Sequence, residues 1–229
     1  MSSSRASELK RSAGVAEDTF QRLVEAILQG EFAGGEPLRE AAVARDWNIS
    51  RTPLREAVRR ASELGLLVLR PNQTPLVRLF SIEDVRFLYS LRELLEVHAL
   101  QTAWPVLLGH SCDKMTAIAR RAAPERKGWQ ERCLAFDAAL HRWWTDQCGN
   151  PWLTADFNRH YQLLKVFQHW GGRDSAAVLR SYGEHLAILD AIHNRNRKKA
   201  CAALRTHIRH SAAVIEAAVQ KARHEGGST

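Results

Sequence analysis

Between Arg39 and Arg78 the chain changes periodicity repeatedly, and that order of elements restricts its fold more than any other feature. A short helical stretch near Arg39 to Asp46 precedes a tight turn at Asn48, and a second helix runs from about Arg51 to Leu64. Asn48 suits a left-handed turn, because its short polar side chain lowers the steric cost of that conformation. Ser50 stands where an N-cap is expected, and Pro53 falls in the first helical turn, where its missing amide hydrogen breaks no internal bond. After Gly65, Leu66 to Arg70 reads as a strand, Pro71-Asn72-Gln73-Thr74 as a turn and Leu76-Val77-Arg78 as a returning strand. Two short helices about a tight turn, followed by a β-hairpin, predict a winged helix-turn-helix.

Upstream, Phe20, Leu23, Val24, Ile27 and Leu28 fall at helical spacing before a stop at Gly30, so a helix precedes the pair, with Gly34-Gly35-Glu36-Pro37 as a loop. Residues 1–14, Ser-rich and basic, are expected to be a disordered arm, and 15–79 the DNA-binding domain. From Ser81 every long segment reads as helix, beginning with Ser81-Ile82-Glu83-Asp84, a capping pattern with acids in the first turn. The expected helices are 82–103, 112–122, 128–148, 151–170, 174–194 and 197–222, with Pro105, Pro124, Gly149 and Gly171-Gly172 as breaks. The fold class is therefore mostly α: the winged module, then an all-α bundle of six or seven helices over 81–222, and a flexible tail over 223–229.

Charge locates the candidate nucleic-acid surface only when it is resolved by region. Residues 1–80 carry 12 Lys and Arg against 10 Asp and Glu, whereas 81–229 carry 21 against 15, so the overall +8 does not mark the first domain. Within 51–78, however, six arginines face only Glu56 and Glu63. Arg51 and Arg55 lie in the first turns of the second helix, where a guanidinium can fork onto guanine O6 and N7 in the major groove. Ser50 and Thr52 offer hydroxyls to phosphate oxygens, and Arg70 and Arg78 are positioned to hold the wing against the backbone. The four cysteines have no CxxC pair and read as buried or free thiols of a reducing cytoplasm. Without an apolar leader or an 18-residue apolar run, secretion and membrane spanning are not expected. The expected location is the cytoplasm, on the nucleoid when DNA is bound.

The string Ile49-Ser50-Arg51-Thr52-Pro53-Leu54-Arg55-Glu56-Ala57-Val58, with Leu64-Gly65-Leu66 and Arg70-Pro71-Asn72, resembles the GntR family of bacterial transcriptional regulators. The sequence departs from that pattern at Gly34 (usually proline), Trp47-Asn48 (usually Leu-Gly) and Thr74-Pro75 (usually a wing-tip glycine). Ala41 stands where some members carry a DNA-contacting arginine, so that contact is not carried over.

In the second domain Asp137 and His141 are four apart, which places a carboxylate and an imidazole on one helix face. His185 follows Glu184, and His207 lies 22 residues further on. This pattern resembles the FCD ligand-binding domain of the FadR-like subgroup. The resemblance implies a divalent ion held by Asp137, His141, His185 and His207, with Arg92 at the usual position for a carboxylate effector; the alternative for Arg92 is a surface arginine or one paired with Glu96. Three nitrogens and one oxygen suit a transition metal such as Zn²⁺ or Ni²⁺. The implied protein is no enzyme but a homodimer on double-stranded operator DNA, modulated by a small carboxylate effector. Alternatives are a metal-dependent hydrolase, for which no HExxH motif exists, and a DNA-binding scaffold with an apo helical dimerisation domain.

Overall fold

The computed structural model describes residues 2–28, 30–124, 127–171 and 174–226. It divides into two compact units, one up to Phe80 and one from Ser81. The first contains α1 (Ser2–Leu28), α2 (Glu40–Asp46), α3 (Arg51–Glu63), β1 (Leu67–Val68) and β2 (Leu76–Val77). Its core joins Phe20, Leu23 and Ile27 of α1 to Leu54, Val58 and Ala61 of α3, all buried, with Leu38 beside them. Burying a leucine or phenylalanine side chain fully is worth about 1.5–3 kcal/mol, and this seam between α1 and α3 is what holds α3 in place. The segment expected as a disordered arm is instead helical from Ser2. Its Arg, Glu, Leu, Lys and Ala residues are good helix formers and no proline interrupts them.

Asn48 takes the left-handed conformation its place in the turn requires, with φ 53°. Ser50 has the extended backbone of an N-cap, but its hydroxyl does not cap α3, contrary to expectation. Ser50 is exposed, so solvent is open to the groups that the missing cap leaves unpaired. In the wing, Leu67 pairs with Val77 and Val68 with Leu76. Gln73 N donates to Arg70 O at 3.1 Å across Pro71 and Asn72, and Asn72 has φ 57°. That is a type II turn, with proline at its second position and a residue of positive φ at its third. Asn72 therefore performs the conformational task of the glycine expected at 74.

The Gly34 to Pro37 loop also differs from expectation, because it joins the wing. Gly35 N donates to Val77 O (2.8 Å), Val77 N to Glu36 O (2.9 Å) and Leu38 N to Pro75 O (2.7 Å), giving β2 a second neighbour. A Cβ on Gly34 would stand 2.7 Å from Leu79 Cδ1 and 3.2 Å from Leu79 Cα, so this crossing accommodates glycine better than the family's proline.

The second unit contains, among the described residues, α4 (Ile82–Leu107), α5 (His110–Arg121), α6 (Trp129–Gln147), α7 (Pro151–Gly171), α8 (Ser175–His193) and α9 (Arg197–Gly226). Ser81 and Asp84 form the anticipated capping box, with Asp84 N donating to Ser81 Oγ at 3.0 Å and Ser81 N to Asp84 Oδ2 at 2.9 Å. Pro105 does not break α4, which continues to Leu107. So near the helix end it forfeits only one backbone bond, and buried Ala103 and Leu107 anchor the turn around it. α9 likewise runs on through 223–226, part of the expected tail, while 227–229 lie outside the described residues. α4 packs on α6, α7 and α9, and α8 on α5, α6 and α9. Trp144, Phe136, Phe157 and Phe167 are buried at the centre, and all four cysteines are buried and free. Among the described residues, no helix is long and apolar enough to cross a membrane.

Candidate functional site

In the first unit, Ser50, Arg51 and Thr52 are exposed at the start of α3, and Arg55 is exposed one turn later. Leu54, Ala57, Val58 and Ala61 occupy the opposite face, so burial of one side of α3 is what turns the arginines outward. Arg55 Nε lies 3.4 Å from Glu40 Oε2, which braces the guanidinium against the start of α2. The two wing arginines separate. Arg70 belongs to the tip turn, whereas Arg78 N pairs with Leu66 O at the base of the hairpin. The Arg78 guanidinium reaches over Phe80, with 5.5 Å to the ring centre, and stands near Gly65, at the C-terminal end of α3.

In the second unit, α6 supplies Asp137 and His141, α8 supplies His185, and α9 supplies His207. All four are buried, and one ligand atom from each lies within 4.8 Å of the others. His185 Nε2 is 3.2 Å from His207 Nε2 and 3.3 Å from His141 Nε2, while Asp137 Oδ1 lies 3.3 Å from His185 Nε2 and 3.6 Å from His141 Nε2.

The opposite sides of two rings explain why these nitrogens face inward. His141 Nδ1 donates to Glu96 and His207 Nδ1 donates to Glu184 Oε2 at 2.9 Å. Each carboxylate holds the proton on Nδ1 and leaves an Nε2 lone pair aimed into the cluster, the arrangement that orients metal-binding histidines. Tyr161 Oη donates to Asp137 Oδ2 at 3.1 Å, leaving Oδ1 for the interior. Glu96 is fully buried and also accepts from Arg92 Nε (2.6 Å) and Trp144 Nε1 (3.1 Å).

Burial, reinforced by the Arg92 charge, holds His141 well below the usual histidine range. Burial and the neighbouring His207 push His185 down to about 3, and burial lowers His207 as well. Burial opposes the charge on Asp137, but His141, His185 and Arg92 outweigh it and keep its carboxyl below the ordinary value. At neutral pH the cluster is thus three neutral imidazoles and one carboxylate, the protonation state that a cation requires of its ligands. The 3.2 and 3.3 Å nitrogen separations match the edge, about 3.3 Å, of a tetrahedron with Zn–N bonds of about 2.0–2.1 Å. The residues fit a divalent transition metal.

Arg92 is buried beside this cluster, with Nη2 3.0 Å from His141 Nε2. Its Nη1 makes no hydrogen bond, and its charge lies beside the buried Tyr89 hydroxyl. Glu184, Tyr161 and Tyr89 were not singled out from the sequence, and Glu96 was legible there only as a partner of Arg92, the pair the structure contains. Glu184 had a visible signal, since it adjoins His185 in the sequence. Glu96 lies one turn after Arg92, and its link to His141 crosses from α4 to α6.

A winged helix-turn-helix followed by a separate helical unit is the arrangement of a DNA-binding regulator. The model of the bacterial regulatory proteins of the gntR family matches residues 15–77, and that of the FCD domain matches 87–210. The chain belongs to the GntR family and carries an FCD domain. It is 26% identical over 203 residues to the HTH-type transcriptional repressor RspR of Escherichia coli K12, covering 78% of this chain and 89% of that protein. It is 23% identical over 210 residues to the HTH-type regulator BphR of Paraburkholderia xenovorans, covering 87% and 84%. Among solved structures, E. coli McbR/YncC superposes with a TM-score of 0.66 at 16% identity, covering 88% of this chain and 96% of that one. A GntR regulator from Rhodococcus sp. RHA1 gives 0.59 at 20% identity, covering 90% and 97%. These relatives and families are transcriptional regulators, not enzymes, which sets aside the hydrolase reading.

Proposed function

We propose that this DNA-binding regulator senses a small carboxylate through a divalent metal, Zn²⁺ or Ni²⁺, held by Asp137, His141, His185 and His207. The convergence of three imidazole nitrogens and one carboxylate oxygen in a buried cluster carries this reading. Bound there, the metal supplies a Lewis-acidic seat for an anionic group. Glu96 and Glu184 orient the rings, Tyr161 orients Asp137, and Arg92 offers the positive charge that a carboxylate needs close by.

Ser50, Arg51, Thr52 and Arg55 read the operator, with Arg70 on the backbone from the wing tip and Arg78 from the wing base. The active species is a homodimer on a pseudo-palindromic site. Phe87 and Leu94, seven apart on α4 and each 71% exposed, support an apolar contact between copies. The effector regulates by binding one dimer arrangement more tightly than the other.

Elemental analysis after metal loading tests the site. One transition-metal ion per chain is expected, lost in His185→Ala. Absence of metal from the unmutated protein would leave the scaffold reading, with an apo helical dimerisation domain.

A further inference from the structure

Arg55 points outward from α3, yet its guanidinium is held from one side. Its Nε donates to Glu40 Oε2 at 3.4 Å, with 70% of the arginine side chain but only 27% of the glutamate side chain exposed. Glu40 is the first residue of α2, so the contact joins the two helices on either side of the turn at Asn48. Glu40 also lines the concavity between the start of α2 and the wing tip. Among the described residues that line it, Glu40 is the one acid, beside Arg39, Asn72 and Gln73.

We propose that Glu40 is a positioning residue for Arg55: it aims the outer edge of the guanidinium at a base and keeps it off phosphate. The inference rests on the proposed reading of the operator by Arg55 and deepens it. An acid beside a side chain that meets a polyanion weakens general binding, so what it offers is discrimination.

The geometry limits how Arg55 can bind. A guanidinium forks onto two acceptors through its two Nη groups or through Nε and one Nη. Glu40 occupies Nε, so the edge formed by Nη1 and Nη2 remains, and neither nitrogen has a partner among the described residues. One edge with one direction of approach suits the fixed O6 and N7 pair of guanine. Charge then separates base from phosphate. The carboxylate behind the fork repels a phosphate, which carries a full negative charge, whereas O6 and N7 are neutral acceptors. Arg55 and Glu40 together are uncharged, so the pair adds little to the counterion release that drives binding to any sequence.

The test is selection by the full-length protein from a library of duplexes with a randomised central segment, followed by salt titration on one fixed duplex of unrelated sequence. Glu40→Gln keeps the shape and removes the charge. It is expected to lower preference about tenfold at the base pair that Arg55→Ala also flattens, within the discrimination carried by one bidentate contact. It should also steepen the salt slope on the unrelated duplex by about one, as for one added phosphate contact. In the Arg55→Ala background, Glu40→Gln should leave every base preference as it was, because the two residues act as one unit. A change of preference that persists in that background would make Glu40 itself a reader of bases and overturn the inference. Unchanged preference or an unchanged slope in Glu40→Gln, with Arg55→Ala still flattening one position, would overturn it and leave the reading of Arg55 standing. If Arg55→Ala flattens no position, both fall.

Discussion

The two units use polar side chains in opposite ways. In the first, Ser50, Arg51, Thr52, Arg55 and Arg70 are exposed, and the buried side chains beneath them are almost all apolar. In the second, Arg92, Glu96, Asp137, His141, His185 and His207 are all buried and hold one another in a connected network. An exposed arginine is solvated whether or not DNA is present, so it contributes to binding and little to folding. A buried charge has no water to fall back on, so its partners decide both stability and function. The contrast makes substitution effects in the first unit specific to DNA, and those in the second inseparable from the fold.

The sharpest way to break this contrast is Glu96→Ala, which strips Arg92, His141 and Trp144 of their shared acceptor. Removing one partner of a buried ion pair costs about 3–5 kcal/mol, so a large fall in unfolding temperature is expected by calorimetry. An effect no larger than that of a surface substitution would show that the network is solvated.

Glu184→Gln should act next most strongly, lowering metal affinity about 10- to 100-fold in chelator competition, as for other partners of metal-bound histidines. A comparable range applies on the outward-facing side. Arg55→Ala should cost about 1–3 kcal/mol of operator affinity and relax preference at one base pair in a binding assay, while leaving the unfolding temperature nearly unchanged. Uniform weakening across sequences would reassign Arg55 to phosphate.

Acid sharpens the same comparison. His185 is pushed down to about 3 by burial first and by His207 second, whereas an unfolded histidine titrates near about 6.5. Between those values the unfolded chain binds the additional proton, so stability is full above about 6.5 and is lost progressively as pH falls. With chelator present, unfolding temperature should drop from about pH 7 to about pH 5, and a flat profile would contradict neutral burial of His185. Arg45→Ala, at an exposed pair with Asp46 (3.1 Å), should shift stability by no more than about 0.5 kcal/mol in the same scan.

Legibility followed the same division. The turn at Asn48, the apolar stripe of α3, the hairpin and the capping box at Ser81 are local events, set by conformational preferences within a few residues, and each was readable in order. So was the spacing of Asp137 and His141 on one helical face. Harder to read were features that depend on what lies across a contact. Residues 34–37 look like a loop because their partner, β2, is about 40 positions away and is met through main-chain atoms that carry no sequence signature. The turn at Asn72 replaced a missing glycine because another residue nearby tolerates positive φ.

The sequence by itself therefore determined the two-part architecture and the outward arginines, since periodicity along one chain encodes which face is buried, whereas the four residues of the cluster were legible only through the resemblance to the FCD domain. Only the tertiary structure decided which atoms those residues present. His141 and His207 turn Nε2 inward because Glu96 and Glu184, on α4 and α8, hold their other nitrogens. Hydrogen-bond pairing between separate helices is fixed by packing at distances of about 3 Å, and no periodicity within a single helix specifies it.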